Sequence, residues 1–285
     1  MSYEDEILQW RRQVEASLRG EESWLSLAGL FWLALGENTL GSGRGSSIQL
    51  PAGTAPEAAG TIDFNGAQAV FCPAPGVAAH VGEERVETIV LQPDVSGLPT
   101  RIRLGDVTFI LVRRGDRWGV RVWNRNHPAR TAFPGRRWYP IDGTCVVPAR
   151  YVRYDPPKPI LLANVLGDSE PTPCPGHVEF ELQGVAARLL VTEADEQGLF
   201  LIFADPTNGK TTYPPGRFLA TGPAAGDRVT LDFNRAYSPP CAFTPYATCP
   251  LTPAENHLPI AIEAGEQVDP DWHAEGPAAH DRSQA

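Results

Sequence analysis

Positive charge is what this sequence is short of. Against 34 Asp and Glu stand 24 Lys and Arg, giving a net charge of −10 and a pI near 5.1. A nucleic-acid partner requires a basic face that neutralises phosphates and releases counterions, so this balance argues against one. The single basic run, Arg113 to Trp138, is interleaved with aromatics. It reads as arginines on the solvated faces of a hairpin, with a binding site for an anionic small molecule as the second reading.

Long apolar runs are missing too. A bilayer span needs about 20 consecutive apolar residues, and the best candidate, Trp24 to Gly36, is too short. The first ten residues, MSYEDEILQW, carry acids where the cationic start of a secretory signal belongs. Together these absences lead to the expectation of a soluble, cytoplasmic protein with no membrane partner. Five cysteines, an odd number without repeated spacing, suit a reducing compartment better than a disulfide framework.

Signatures of common chemistries are equally scarce. The histidines (His80, His127, His177, His257, His273 and His280) are scattered, with no His-x-x-x-His pair of the metal-binding kind. No Gly-x-Ser-x-Gly elbow occurs, and GSGRG (Gly41 to Gly45) opens no helix. Ala204 to Thr211, ADPTNGKT, imitates a phosphate-binding loop. Pro214 and Pro215 follow, however, removing two backbone donors and barring the helix that such a loop needs, so strand–turn–strand is the reading. Cys241 and Cys249 are the close cysteine pair, but a four-ligand zinc site lacks its remaining partners. They read as packed apolar thiols, with a redox-labile contact or a reactive thiol as the alternative. No metal and no cofactor is expected.

Breakers and short apolar runs are what the chain does have. With 28 Pro and 27 Gly between β-like stretches, the pattern predicts a mostly β protein with two sandwich- or barrel-like regions. Residues 4–19 place Ile7, Trp10, Val14 and Leu18 on one stripe, an amphipathic helix closed by Gly20. VTFILVRRGDRWGVRVWN alternates through a hairpin whose tight turn centres on Gly115. The expected divisions are a helix (1–20), a β-sandwich (21–125), a second β region (126–265) and a flexible tail (266–285).

The polar residues of interest gather late in the chain. In TLDFNRAY, period-two alternation sends Asp232 and Asn234 to one face and Phe233 and Arg235 to the other. A Pro-rich segment bearing Glu255 and Asn256 follows. The two polar side chains could line a cleft, or could bond that segment's irregular backbone and hold it closed; both can hold at once.

Several stretches carry a resemblance. WLSLAGLFWLALGENTLGS, FPGRRWYP, KTTYPPGRFL and above all LDFNRAYSPPCAFTPYATCPLTPAENHLPIAIEAGE resemble the bacterial and archaeal family called domain of unknown function 1684, over Trp24 to Glu266. His257 stands where Arg is expected and Pro214 where Gly is usual. The resemblance implies motif positions Phe133, Gly135, Tyr139, Thr212, Tyr213, Gly216, Arg217, Asp232, Asn234, Tyr237, Cys241, Cys249, Glu255 and Asn256, and implies no activity. A second likeness, in the cadence of LGENTLGSGRGSSIQLPAG, is to the forkhead-associated β-sandwich. That fold's Ser-Arg-x-x-His phosphate segment is missing here, so only the sandwich is implied.

From these residues the expected function is binding, with or without transformation, of a small polar or anionic ligand in the second β region. Arg217 would orient the ligand. Tyr213, Asn234, Tyr237 and Asn256 would line the site, and Asp232 or Glu255 would serve as acid or base. The alternative is a non-catalytic module using the N-terminal sandwich to contact a protein partner.

Overall fold

The computed structural model describes residues 1–272. The protein is mostly β, as its pattern predicts, and opens with the helix α1 (Tyr3–Leu18), on which Ile7 and Leu18 are enclosed. Two compact units divide the chain: residues 16–133, and residues 1–15 together with 134 onward. None of the described helices is long and apolar enough to cross a membrane.

The first unit holds eleven strands. They are β1 (Leu27–Trp32), β2 (Gly36–Gly41), β3 (Ile48–Gln49), β4 (Gly60–Phe64), β5 (Ala69–Pro73) and β6 (Ala79–Val81). Then come β7 (Glu84–Val86), β8 (Ile89–Leu91), β9 (Ile102–Leu104), β10 (Val107–Arg114) and β11 (Arg117–Asn124). One sheet has the order β1-β11-β10-β9-β6-β7 and the other β3-β2-β4-β5-β8. Residues of both, among them Ile62, Phe71, Ile102, Phe109 and Val122, share one apolar core, with Phe71 and Phe109 edge to face at 5.2 Å. The β10–β11 hairpin turns at Gly115-Asp116, where Gly115 takes φ +57. A short helix, α2 (Ala129–Ala132), closes the unit.

The second unit begins with β12 (Arg137–Trp138) and a long hairpin of β13 (Val146–Ala163) and β14 (Ser169–Leu182). Next come β15 (Val185–Val191), β16 (Glu193–Ala194), β17 (Leu199–Phe203), β18 (Arg217–Ala220), β19 (Arg228–Asp232) and β20 (Glu266–Gln267). The larger sheet runs β15-β14-β13-β19 and a smaller one β16-β17-β18. Period-two alternation sends Val147, Ala149 and Tyr151 of β13 and Val178, Phe180 and Leu182 of β14 into a core shared with Leu199, Leu201 and Phe203 of β17. The opposite face of β17 and β18 presents Phe200, Ile202 and Phe218, and here the Pro-rich segment finds its place. Ala247, Cys249, Cys241 and Tyr237 pack against those three. A segment rich in burial-prone residues is thus the outer layer of a small sheet.

Two expectations change at its ends. The strand stops at Asp232, and Phe233–Arg235 form a 3-10 turn capped by the Asp232 carboxylate, so Phe233 and Asn234 are both enclosed rather than alternating. The tail expected from residue 266 starts with an ordered pair, since Glu266 and Gln267 form β20 against β12. Residues 273–285 lie outside the described chain.

Candidate functional site

The Pro-rich segment must satisfy irregular, enclosed backbone, and it does so through side chains distant in sequence. Arg217 is fully buried. Its guanidinium donates to Asp205 Oδ2 (2.7 Å), to the Ile262 carbonyl (2.9 Å) and to the Ala264 carbonyl, and lies 5.1 Å from the Phe203 ring centre. Asp205 Oδ1 in turn accepts from the backbone N–H groups of Thr207 (2.9 Å) and Ile262 (3.2 Å). Asn256, also fully buried, acts as a strand partner. Its Oδ1 accepts from Leu190 N–H (2.7 Å), while its Nδ2 donates to the carbonyls of Leu190 (2.9 Å) and Ile202 (2.7 Å). Gly216 takes φ +119, and a Cβ there would stand 2.2 Å from Thr252 Oγ1, whose hydroxyl is bonded to the Pro215 carbonyl.

Arg217, expected from the sequence to orient a ligand, is bonded here to protein groups. Asp205 matches its charge and the carbonyls of Ile262 and Ala264 accept from its terminal nitrogens, while its Nε is buried without a hydrogen-bond partner among the described residues. Asp232 and Asn234 also serve elsewhere than expected. Asn234 exchanges hydrogen bonds with Asp142, accepting from its N–H (2.9 Å) and donating to its carbonyl (2.8 Å). Asp232 Oδ1 accepts from the Tyr3 hydroxyl of α1 (2.8 Å), and Oδ2 from Arg235 Nε (3.2 Å). This pair anchors the start of the helix and the turn at residue 142; Asn256, Arg217 and Glu266 pin the Pro-rich segment. Glu255 is exposed on the 3-10 turn Ala254–Asn256.

Two residues the sequence reading passed over stand at the centre. Arg136, counted there among solvated hairpin arginines, has a side chain only 7% exposed, and Glu266, assigned to the tail, only 3%. They form an ion pair, and Glu266 Oε2 also accepts from Ser238 N–H (2.8 Å). The Arg136 guanidinium lies 4.6 Å from the Phe243 ring centre, and its Nε is buried without a hydrogen-bond partner among the described residues. Burial pushes the Glu266 carboxyl above its ordinary range, opposed by Arg136 and Ser238. Burial also raises the Tyr237 phenol, which feels the charges of Arg136 and Glu266. Both overlooked residues lie inside stretches that carried the family resemblance, FPGRRWYP and LPIAIEAGE.

Tyr213 and the two thiols stand along the same segment. The Tyr213 hydroxyl donates to the Cys241 carbonyl (2.9 Å), and Cys241 N–H donates to Cys249 Sγ (3.2 Å). Neither cysteine is in a disulfide; Cys249 is buried and Cys241 half-buried. The neighbouring Cys249 lowers the Cys241 thiol below its ordinary value, against the opposing effect of burial. Burial and the bond with Cys241 raise the Tyr213 phenol. Among the described residues, no group of three or more His, Cys, Asp or Glu is placed to hold a metal ion.

Residues 131–267 match the family described as "Protein of unknown function (DUF1684)". The chain belongs to this family. A solved relative, an uncharacterized protein from gene locus rrnAC0354 of Haloarcula marismortui, is 31% identical. It covers 50% of this chain and 82% of its own, with a TM-score of 0.42. Two forkhead-associated domain structures show a faint likeness at 18% identity and TM-scores of 0.24. One is the FhaA FHA domain complexed with the intracellular domain of Rv3910, aligned over 33% of this chain and 96% of its own. The other, from a study of phosphothreonine-dependent FHA domain interactions, aligns over 34% and 95%. No curated protein matches the chain.

Proposed function

We propose that the unit containing residues 134 onward binds a small anionic organic molecule, and that Arg136, rather than Arg217, is the cation that receives it. One observation carries this reading. A guanidinium offers five N–H donors in a fixed fork. In Arg136 the buried Nε donor is unspent and the ion-pair partner is Glu266, whereas Arg217, whose Nε is also unspent, is tied through its other nitrogens to Asp205, Ile262 and Ala264. Leaving such a group without an acceptor costs about 1–3 kcal/mol, which a carboxylate or phosphate oxygen would recover. Phe243 and Tyr237 supply an aromatic wall and a phenol beside it, and Tyr213 a second phenol along the segment. Glu266 balances the guanidinium charge while no ligand is bound. Asp232 is occupied by its own partners, so the reading is of binding and assigns no reaction. It takes the protein to work in a reducing, cytoplasmic setting.

Thermal-shift measurements test it, using inorganic phosphate, citrate and a nucleoside monophosphate at matched ionic strength. A ligand at 100 times its Kd stabilises by about 2.7 kcal/mol through mass action. The wild type should therefore show a rise in Tm that grows with ligand concentration. Arg136→Lys keeps the charge opposite Glu266 but loses the fork, and should remove that rise. A full shift in a folded Arg136→Lys variant, or no shift above chloride for any of the three anions, sinks the reading. The alternative, a protein-interaction module on the sandwich, draws on exposed Leu35, Val95 and Leu98, and isolated apolar side chains are ordinary on a folded surface.

A further inference from the structure

We propose that Cys241 and Cys249 are a thiol–disulfide exchange site, with Cys241 the attacking thiol and Cys249 the resolving one, acting on a low-molecular-weight disulfide. The inference is independent of the anion reading, since it uses neither Arg136 nor Glu266.

Cys241 N–H donates to Cys249 Sγ at 3.2 Å, which seats the second sulfur against the backbone of the first residue. Pro239 and Pro240 stiffen the approach to Cys241, in a 3-10 turn spanning Pro240–Ala242. On the other side, backbone bonds tie Cys249 and Leu251 to the β13–β14 hairpin: Val165 N–H to the Cys249 carbonyl (3.0 Å) and Leu251 N–H to the Ala163 carbonyl (2.7 Å). The backbone at Cys249 is thus held from outside the loop that joins the two residues, and Cys249 Sγ is held by the Cys241 N–H.

Exposure divides the roles. Cys241 is half-buried and so reachable by a small reagent, whereas Cys249 is 5% exposed and reachable chiefly through Cys241. The neighbouring Cys249, which lowers the Cys241 thiol, favours the thiolate, the nucleophilic form. The remaining buried cysteines are placed the other way. Cys145 stands 3.9 Å from the Asp142 carboxylate, and Cys174 donates its S–H to the Gly176 carbonyl (3.1 Å). Burial is the main cause that raises both thiols, and the Asp142 charge raises Cys145 further. Cys241 is thereby set apart from these two.

The exchange balances without any other reagent. The Cys241 thiolate attacks one sulfur of R–S–S–R, forming Cys241–S–S–R and releasing R–S⁻, which takes up the proton given up by Cys241. Cys249 loses its proton and attacks Cys241 Sγ, displacing the second R–S⁻, which is protonated in turn. The pair is oxidised to one disulfide and R–S–S–R is reduced to two thiols. In the reverse direction the same steps return two free cysteines.

The test uses the full chain and oxidised glutathione. The reduced protein is incubated with it, quenched in acid, alkylated with N-ethylmaleimide and mapped by mass spectrometry. Expected is a linked peptide pair containing Cys241 and Cys249, lighter by two hydrogens, with Cys72, Cys145 and Cys174 alkylated. Cys249→Ser should stop at a glutathione adduct on Cys241, and Cys241→Ser should form neither product. Iodoacetamide should modify Cys241 faster than Cys72 in the wild type at pH 7. The proposal is overturned by a wild type with all five thiols alkylated, by a linkage through any other cysteine, or by a lasting glutathione adduct with no Cys241–Cys249 link. The wild-type map decides the matter even if a variant does not fold.

Discussion

The two units of this protein are built on different principles. In residues 16–133 the two sheets meet through apolar side chains, and alternation along each strand suffices to fill the core. In the unit of residues 134 onward an apolar core is also present, but its outer layer is irregular chain. That layer brings buried polar groups with it: Asp205, Arg217, Asn256 and Glu266 are each less than a tenth exposed or fully enclosed. A strand ladder satisfies its own backbone, whereas a segment interrupted by proline needs outside donors and acceptors. The difference implies that the second unit should fail on loss of a polar partner and the first mainly on loss of volume.

The largest effect expected is at the Arg217–Asp205 pair, where both side chains are wholly buried. Arg217→Met alone leaves Asp205 uncompensated and should cost roughly 3–5 kcal/mol. Adding Asp205→Leu should recover part of the loss, with a coupling of at least about 1 kcal/mol by urea denaturation. Strict additivity would remove the electrostatic half of the comparison. Next, Asn256→Ala orphans Leu190 N–H and two carbonyls and should cost roughly 3 kcal/mol. Ile102→Val, at a fully buried position of the sandwich, should cost only about 0.5–1.5 kcal/mol. Hydrogen exchange followed peptide by peptide would assign each loss to its unit; a larger loss from Ile102→Val reverses the order.

The smallest effect concerns pH, and the two units should respond in opposite senses. His127, in the first unit, is held below its ordinary value of 6.5 by burial, and its Nδ1 accepts the Ala129 N–H, which needs a neutral ring. Its contribution is therefore present above pH 6.5 and lost as pH falls through the depressed folded value. Glu266 is raised above its ordinary 4.5, so its contribution is full below that value and lost as pH rises through the folded one. Relative to wild type, His127→Asn should gain in Tm as the pH falls below 6.5. Glu266→Gln should gain as the pH rises from 4.5. Parallel trends in the two variants would contradict the assignment.

Reading these residues in sequence worked where the cause is local. Hydrophobic spacing located α1, the β10–β11 hairpin and the β17–β18 hairpin, and the prolines after ADPTNGKT correctly excluded a helix there. The same reasoning misplaced Arg136 and Glu266 because both look like surface residues. Their hydrogen bond spans 130 positions, and the Asn256 bonds to Leu190 span 66. It also carried alternation one residue too far past Asp232, whose carboxylate turns the chain.

Composition and periodicity alone settled that this chain is mostly β, acidic and opened by an amphipathic helix, because neighbours within a few residues decide those features. Which buried cation meets which carboxylate, and which thiol faces which, was decided only by the tertiary structure. A buried polar group accepts whatever partner the packed chain brings within about 3 Å, and nothing in its local sequence specifies where that partner comes from.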